Sequence, residues 1–251
     1  MAELKFPKFD SQQIHPTILL IKGKHTRAKV AFCFWEVIFW LKNAFIYLNS
    51  YKKYKKEMRE ERFIKKLAND PLERVLVYEH LMWYLEEVVI RLSGIRDKIA
   101  QMALVYYYHP NHLGERKFDV RGCPKCGNSN FSQVLNEKTC NFGLLLNFLK
   151  QEGANDDLFK ILSKIEKDKD IAWIISQRNI LLHRISEYYF QMLGIYPEDL
   201  NIKYEDKKET TTFKFGNLPK SLIREEEKIE RAYNKTVEYI EAMEPILFPK
   251  K

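Results

Sequence analysis

Residues 27–67 constrain the chain more than any other stretch. The first half is apolar nearly all round: Val30, Phe32, Phe34, Trp35, Val37, Ile38, Phe39, Trp40 and Leu41 follow one another with few polar breaks. A surface helix needs one apolar stripe, whereas a helix apolar on every side needs cover on several sides. The pattern predicts a long helix, capped by Thr26 and buried among other helices. A membrane span is the competing use of such a run. Residues 30–41 are short for one, contain Glu36 and are followed by Lys42 and Asn43, so the expectation is a core helix and no membrane partner.

The rest of the chain supplies helices to cover it. Asp70-Pro71-Leu72-Glu73 combines a cap, a proline at the first helical position and a capping-box glutamate. It opens a helix to about Tyr108, with a bend expected at Ser93-Gly94. The inner stripe is Val75, Leu81, Leu85, Val88, Val89 and Leu92. A third helix is predicted over 141–151, and a short one through Leu158, Ile161, Leu162 and Ile165. The next runs from a cap at Asp170 to about Leu193, before Gly194, with Ile174, Leu181, Leu182, Ile185, Tyr189 and Met192 at helical spacing. With only nine glycines and nine prolines in 251 residues, the fold class is all-α, an up-and-down helical bundle.

The flanks differ. Residues 1–25 read as an arm punctuated by Pro7, Pro16 and Gly23, in which residues 18–21 form a short strand or pack on the bundle. Residues 26–195 form the bundle. Residues 196–251 carry a small β-hairpin, with Ile202-Lys203-Tyr204 and residues 210–215 either side of a charged turn, and then an amphipathic helix over 221–243.

Within the bundle, residues 109–140 form an insert where the helical period is lost. It contains Cys123-Pro124-Lys125-Cys126-Gly127, half of a zinc-knuckle pattern, since the tight turn lets both thiolates face one ion. Two of His109, His112 and Cys140 would complete a tetrahedral structural site; Cys140 and His112 are the candidate pair. A free cysteine pair on a loop is the alternative. Four cysteines in a long chain, with a mixed, charged start and no apolar leader, point to a reducing, cytoplasmic setting.

The net charge is +8 and the isoelectric point about 9.1, which suits a polyanionic partner. The densest basic–aromatic patch is Tyr51-Lys52-Lys53-Tyr54-Lys55-Lys56. Lys52, Lys53, Lys55 and Lys56, with Arg184, are the candidate nucleic-acid contacts; a solvated helix end is the plainer reading.

The polar interruptions of the helix at 170–193 stand out. Successive residues rotate by about 100°, so Asn179 and His183 stack on nearly one face, while Arg178 and His183 diverge by roughly 140°. One helix presents that pair awkwardly to a single small group. A second copy across a two-fold axis would supply both from opposite sides.

Arg178-Asn179-x3-His183 on a late helix of an all-helical chain resembles the HEPN superfamily, whose ribonucleases carry Arg-x4-His, often with a polar residue after the arginine. Residues 78–101, from Tyr78-Glu79-His80-Leu81 to Ala100-Gln101, look like an earlier helix of such a bundle. The likeness spans roughly residues 27–195, and the insert departs from the family core. It implies a dimeric, metal-independent endoribonuclease with no cofactor needed for catalysis. RNA is then the partner, with a toxin or phage-defence role and an antitoxin as a further partner. Imidazole exchanges protons near neutral pH, which suits His183 as acid or base. A guanidinium stays charged and binds phosphate, which suits Arg178. Asn179 would orient the imidazole or bind ribose, with Glu79 and His80 behind them. The alternatives are a non-catalytic nucleotide-, nucleic-acid- or protein-binding module and a zinc-stapled nucleic-acid binder.

Overall fold

The computed structural model describes residues 4, 16, 25–58, 71–108, 117–120, 131–134, 140–183, 201–206, 209–214 and 222–249. These are mostly helical, in six helices: α1 (His25–Glu57), α2 (Pro71–Tyr107), α3 (Phe142–Gln151), α4 (Asp157–Lys167), α5 (Lys169–His183) and α6 (Glu226–Leu247). A 3-10 turn, Leu222–Glu225, leads into α6. Four short strands pair antiparallel in two sets. In the first, β1 (Lys117–Val120) and β2 (Phe131–Val134) set Lys117 opposite Val134. In the second, β3 (Asn201–Asp206) and β4 (Glu209–Lys214) set Asp206 opposite Glu209.

Side-chain contacts fix the helix directions. Along α1 and α2, Lys98 pairs with Glu36 at 3.2 Å, Tyr47 meets Trp83 and Tyr54 meets His80, so the two run antiparallel. Along α1 and α6, Phe34 meets Phe248, Phe45 meets Tyr233 and Tyr51 reaches Glu226, again antiparallel. Helix α5 is antiparallel to α6, because Asp168, Asp170 and Trp173 meet Tyr239, Arg231 and Lys228 in turn. The long helices therefore alternate up, down, up, down; the fourth of them is α6, from the 196–251 stretch and not from 26–195. One core joins them, through Phe34, Leu41 and Leu48 of α1, Leu85 and Leu92 of α2, Ile174 of α5 and Tyr233 and Ile240 of α6.

Local chemistry explains several boundaries. Asn141 caps α3, its side chain accepting the N–H of Leu144, and Asp156 caps α4 through Phe159. Helix α3 closes in a Schellman turn. Gly153 takes φ +74, its N–H reaches Lys150 O and that of Ala154 reaches Leu149 O. Pro71 is the first residue of α2, as its sequence signature predicts.

Other expectations are corrected. Thr26 does not precede α1: the helix begins at His25. At the other end α1 is described to Glu57, and residues 59–67 lie outside the described residues. Helix α6 continues past Met243 and carries Pro245 in its last turn, because Leu247 is buried there and Phe248 packs edge-on against Phe34. Cover on several sides holds for α1 only in part: Phe32 is 62% exposed and Phe39 61%. Among the described residues, contacts with α2 and α6 cover two sides of α1 and leave a third open. A window within Arg27–Glu57 reaches a mean hydropathy of 1.4, enough to cross a membrane by length and composition, with 39% of it buried.

Candidate functional site

Helix α5 carries the motif, and its start is held firmly. Asp168, not Asp170, is the cap. Its Oδ1 accepts the N–H groups of Asp170 at 2.9 Å and Ile171 at 3.2 Å, and its Oδ2 accepts the Tyr239 hydroxyl of α6 at 2.8 Å. Burial, and then the Asp168 carboxylate, push the Tyr239 phenol above its ordinary range. Asp170 sits in the first turn and faces Arg231 at 3.4 Å. Lys228 lies over Trp173, 5.4 Å from the ring centre.

Beyond this anchor α5 is two-faced. Ile171 and Ile174 are buried, whereas Ala172, Ser176 and Asn179 are exposed. Arg178 lies seven residues after Ile171 and four after Ile174, on their side of the helix, and is half-buried. Position 183 follows Asn179 by four, so the backbone places it on the exposed stripe. The side chain of His183, like Arg184 and residues 185–193, lies outside the described residues. The helix thus brings Asn179 and position 183 to one face and leaves Arg178 on another, as the angular argument requires. Among the described residues Arg178 has no carboxylate partner.

Neighbouring elements place the remaining candidates at the same end of the bundle. Helix α5 runs antiparallel to α6, so its C-terminal half heads toward the end where α6 begins. Glu226 and Glu230 sit there, both buried. They bind α1: Tyr51 donates to Glu226 at 3.1 Å, Lys55 also pairs with Glu226, and Lys52 pairs with Glu230 at 2.7 Å. Two of the four proposed nucleic-acid lysines are thereby turned inward and neutralised, while Lys53 and Lys56 remain exposed. The sequence held a signal for this: Glu226 and Glu230 fall in phase with Ile229, Tyr233 and Val237, where a solvated glutamate does not belong.

On α2, Glu79 is half-buried and His80 exposed. The His80 Nδ1 is 2.9 Å from Leu76 O. A carbonyl can only accept, so the proton is on Nδ1, and Nε2 of a neutral ring is left as an acceptor. The ring lies 5.7 Å from that of Tyr54. Glu86 has its carboxyl pKa raised, first by burial and then by Glu87. Arg91 and Arg96 do not open toward α5. Arg91 pairs with Glu87 and stacks on Trp40; Arg96 pairs with Glu166 and stacks on Phe142.

Among the described residues no three of histidine, cysteine, aspartate or glutamate cluster as metal ligands. Cys123, Cys126, His109 and His112 lie outside the described residues. Cys140 is buried, and burial followed by Asp97 pushes its thiol up to about 12. The described surroundings of Cys140 therefore favour a neutral thiol. Comparison of the chain with protein-family models, with curated proteins and with solved structures returns no match.

Proposed function

We propose that this chain is a metal-independent endoribonuclease of HEPN type that acts as a dimer, with Arg178, Asn179 and His183 as its working residues. The observation that carries the reading is the way α5 separates its motif. Asn179 and position 183 share the exposed stripe while Arg178 lies a face away, so a complete set at one phosphodiester calls for two helices. The basic net charge of +8 supports a polyanionic substrate.

In the proposed reaction His183 takes the proton from a ribose 2′-OH. The freed oxygen attacks the adjacent phosphorus, and the bond from phosphorus to the 5′ oxygen breaks. The partner's His183 returns a proton to that leaving oxygen. The products are a 2′,3′-cyclic phosphate and a 5′-OH, with no outside oxidant, reductant or water consumed. Arg178 holds the extra negative charge on the phosphorane, a guanidinium being bidentate and always ionised. Asn179 orients the imidazole from one turn below. The setting is cytoplasmic and the role that of a toxin or defence effector, with an antitoxin as a further partner. A structural zinc at Cys123 and Cys126 lies apart from this chemistry.

His183→Ala should abolish cleavage of mixed RNA in the presence of chelator while leaving the helical circular-dichroism signal unchanged. Retained cleavage by that variant would overturn the assignment. The second reading is a non-catalytic nucleotide-, nucleic-acid- or protein-binding module. It draws on Arg178 sharing a side with Ile171 and Ile174, where a guanidinium serves packing. RNA binding without cleavage, equal in wild type and His183→Ala, would select it.

A further inference from the structure

The exposed large hydrophobic side chains among the described residues all belong to the first two helices: Phe32, Phe39 and Ile46 on α1, and Leu76, Trp83 and Tyr106 on α2. Phe32, Phe39 and Ile46 are seven apart and form one stripe; Leu76 and Trp83 are likewise seven apart. The two stripes meet, because Tyr47, next to Ile46, packs edge-on against Trp83 with ring centres 5.6 Å apart. The seam between α1 and α2 is therefore apolar along its outer side, on the surface opposite to the one that Glu226, Glu230 and Tyr233 of α6 cover. Five of these side chains expose on the order of 500 Å² per chain, at the upper end of what a monomer leaves to water.

Charge is distributed unevenly across the seam. Trp40, Tyr47 and Tyr54 face α2. Lys42, Lys53 and Lys56 lie across the α1 stripe from them and give that edge a basic rim. On α2, Glu79 and Glu86 are seven apart and lie beside Leu76 and Trp83, on the side away from α1, and give the other edge an acidic rim. Levels match as well. Tyr54 sits beside His80 and Trp40 beside Arg91, so Lys53 and Lys56 are level with Glu79, and Lys42 lies near the level of Glu86.

We propose that this face binds a second copy of the chain about a two-fold axis running parallel to α1 and α2, so that α1 lies on the partner's α2. That axis sets each basic rim on the partner's acidic rim at the same level. The other in-plane two-fold, across the helices, would set lysine on lysine. Burying the five side chains from both copies removes roughly 1,000 Å² of apolar surface. With the rims the contact reaches the ~1,200–2,000 Å² of a stable interface. The face is built without α5 and stands independently of the ribonuclease reading. If α5 pairs as well, the two contacts together close a tetramer, the common product of two isologous interfaces.

The test is the solution mass of the full chain by light scattering at 5–100 μM (about the range where such interfaces associate). Phe39→Glu should halve the mass. Lys53→Glu with Lys56→Glu, both at exposed positions, should weaken association at least tenfold, and adding Glu79→Lys should restore it. His183→Ala should leave the mass on this face unchanged, so loss of cleavage without loss of this contact separates the two proposals. A monomeric wild type at 100 μM (about the weakest affinity worth calling an interface), or a Phe39→Glu mass equal to wild type, would overturn the proposal. So would a monomer whose α1 stripe binds phosphatidylcholine–phosphatidylglycerol vesicles and loses them on Phe39→Glu, which would make the face a membrane contact.

Discussion

Gly94 shows how a residue singled out in sequence for one reason can serve the structure for another. Read in sequence, Ser93-Gly94 marks a bend. In the structure α2 is helical throughout from Pro71 to Tyr107, and Gly94 is required because a Cβ there would come closer to the Trp40 ring of α1 than van der Waals contact allows. Two effects oppose each other on substitution. Gly94→Ala gains about 1 kcal/mol of helix propensity, but overpacking against a fixed indole costs about 1–3 kcal/mol. The expected result is a net loss of about 1 kcal/mol, read as a lower midpoint in urea with unchanged slope. Glu86 gives a prediction with pH. Its carboxyl is raised above the ordinary value by burial and by Glu87, so the folded state holds the proton more tightly than the unfolded chain does. That contribution is fully present below the unfolded pKa and is lost as pH rises through the higher folded value. In the Phe39→Glu background, which keeps this face unpaired, Glu86→Gln should therefore raise the thermal midpoint at pH 7 and leave it nearly unchanged at pH 3. A midpoint that shifts equally at both would contradict the assignment.

At the scale of elements, helices were readable wherever the signal was local. The Pro71 start of α2, the Asn141 cap of α3 and the stripe Ile229, Tyr233, Val237 and Ile240 of α6 each follow from neighbouring residues. The errors arose where a partner far away in sequence decides. Asp170 has the right residue type for a cap, but Asp168 takes that role because Tyr239 of α6 holds its second oxygen. Asp168→Ala should cost about 1–2 kcal/mol, the value of a helix cap. Asp170→Ala should cost well under 1 kcal/mol, since it loses one partly exposed pairing. Equal losses in chemical denaturation would show that Asp168 is not the anchor. The end of α6 follows the same rule. Pro245 predicts a stop, yet burial of Leu247 and the contact between Phe248 and Phe34 carry the chain onward.

For the whole molecule, a helical bundle was expected from the number of helical segments, though with 141–151 and not α6 among its four helices. Which faces remain open was not. Composition makes α1 apolar all round, but only the positions of α2 and α6 decide that Phe32, Phe39 and Ile46 stay outside. The site is similar in kind. Residue spacing alone separates Arg178 from Asn179 and position 183, and the burial pattern of α5 agrees. The neutralisation of Lys52 and Lys55 could not be read near those lysines, because it comes from Glu226 and Glu230, far along the chain. Two copies of α5 share one phosphodiester in the proposed reaction, and dilution of wild type with an inactive copy tests this most directly. Wild type and His183→Ala would be unfolded, refolded as an equal mixture, and assayed on RNA with chelator. If one phosphodiester needs the imidazoles of both chains, only the dimers of two wild-type chains cleave, about a quarter of the total, and activity should fall to about a quarter of that of the same amount of wild type. Activity of about half, with mixed dimers demonstrated by mass, would mean that each chain works alone and would contradict it.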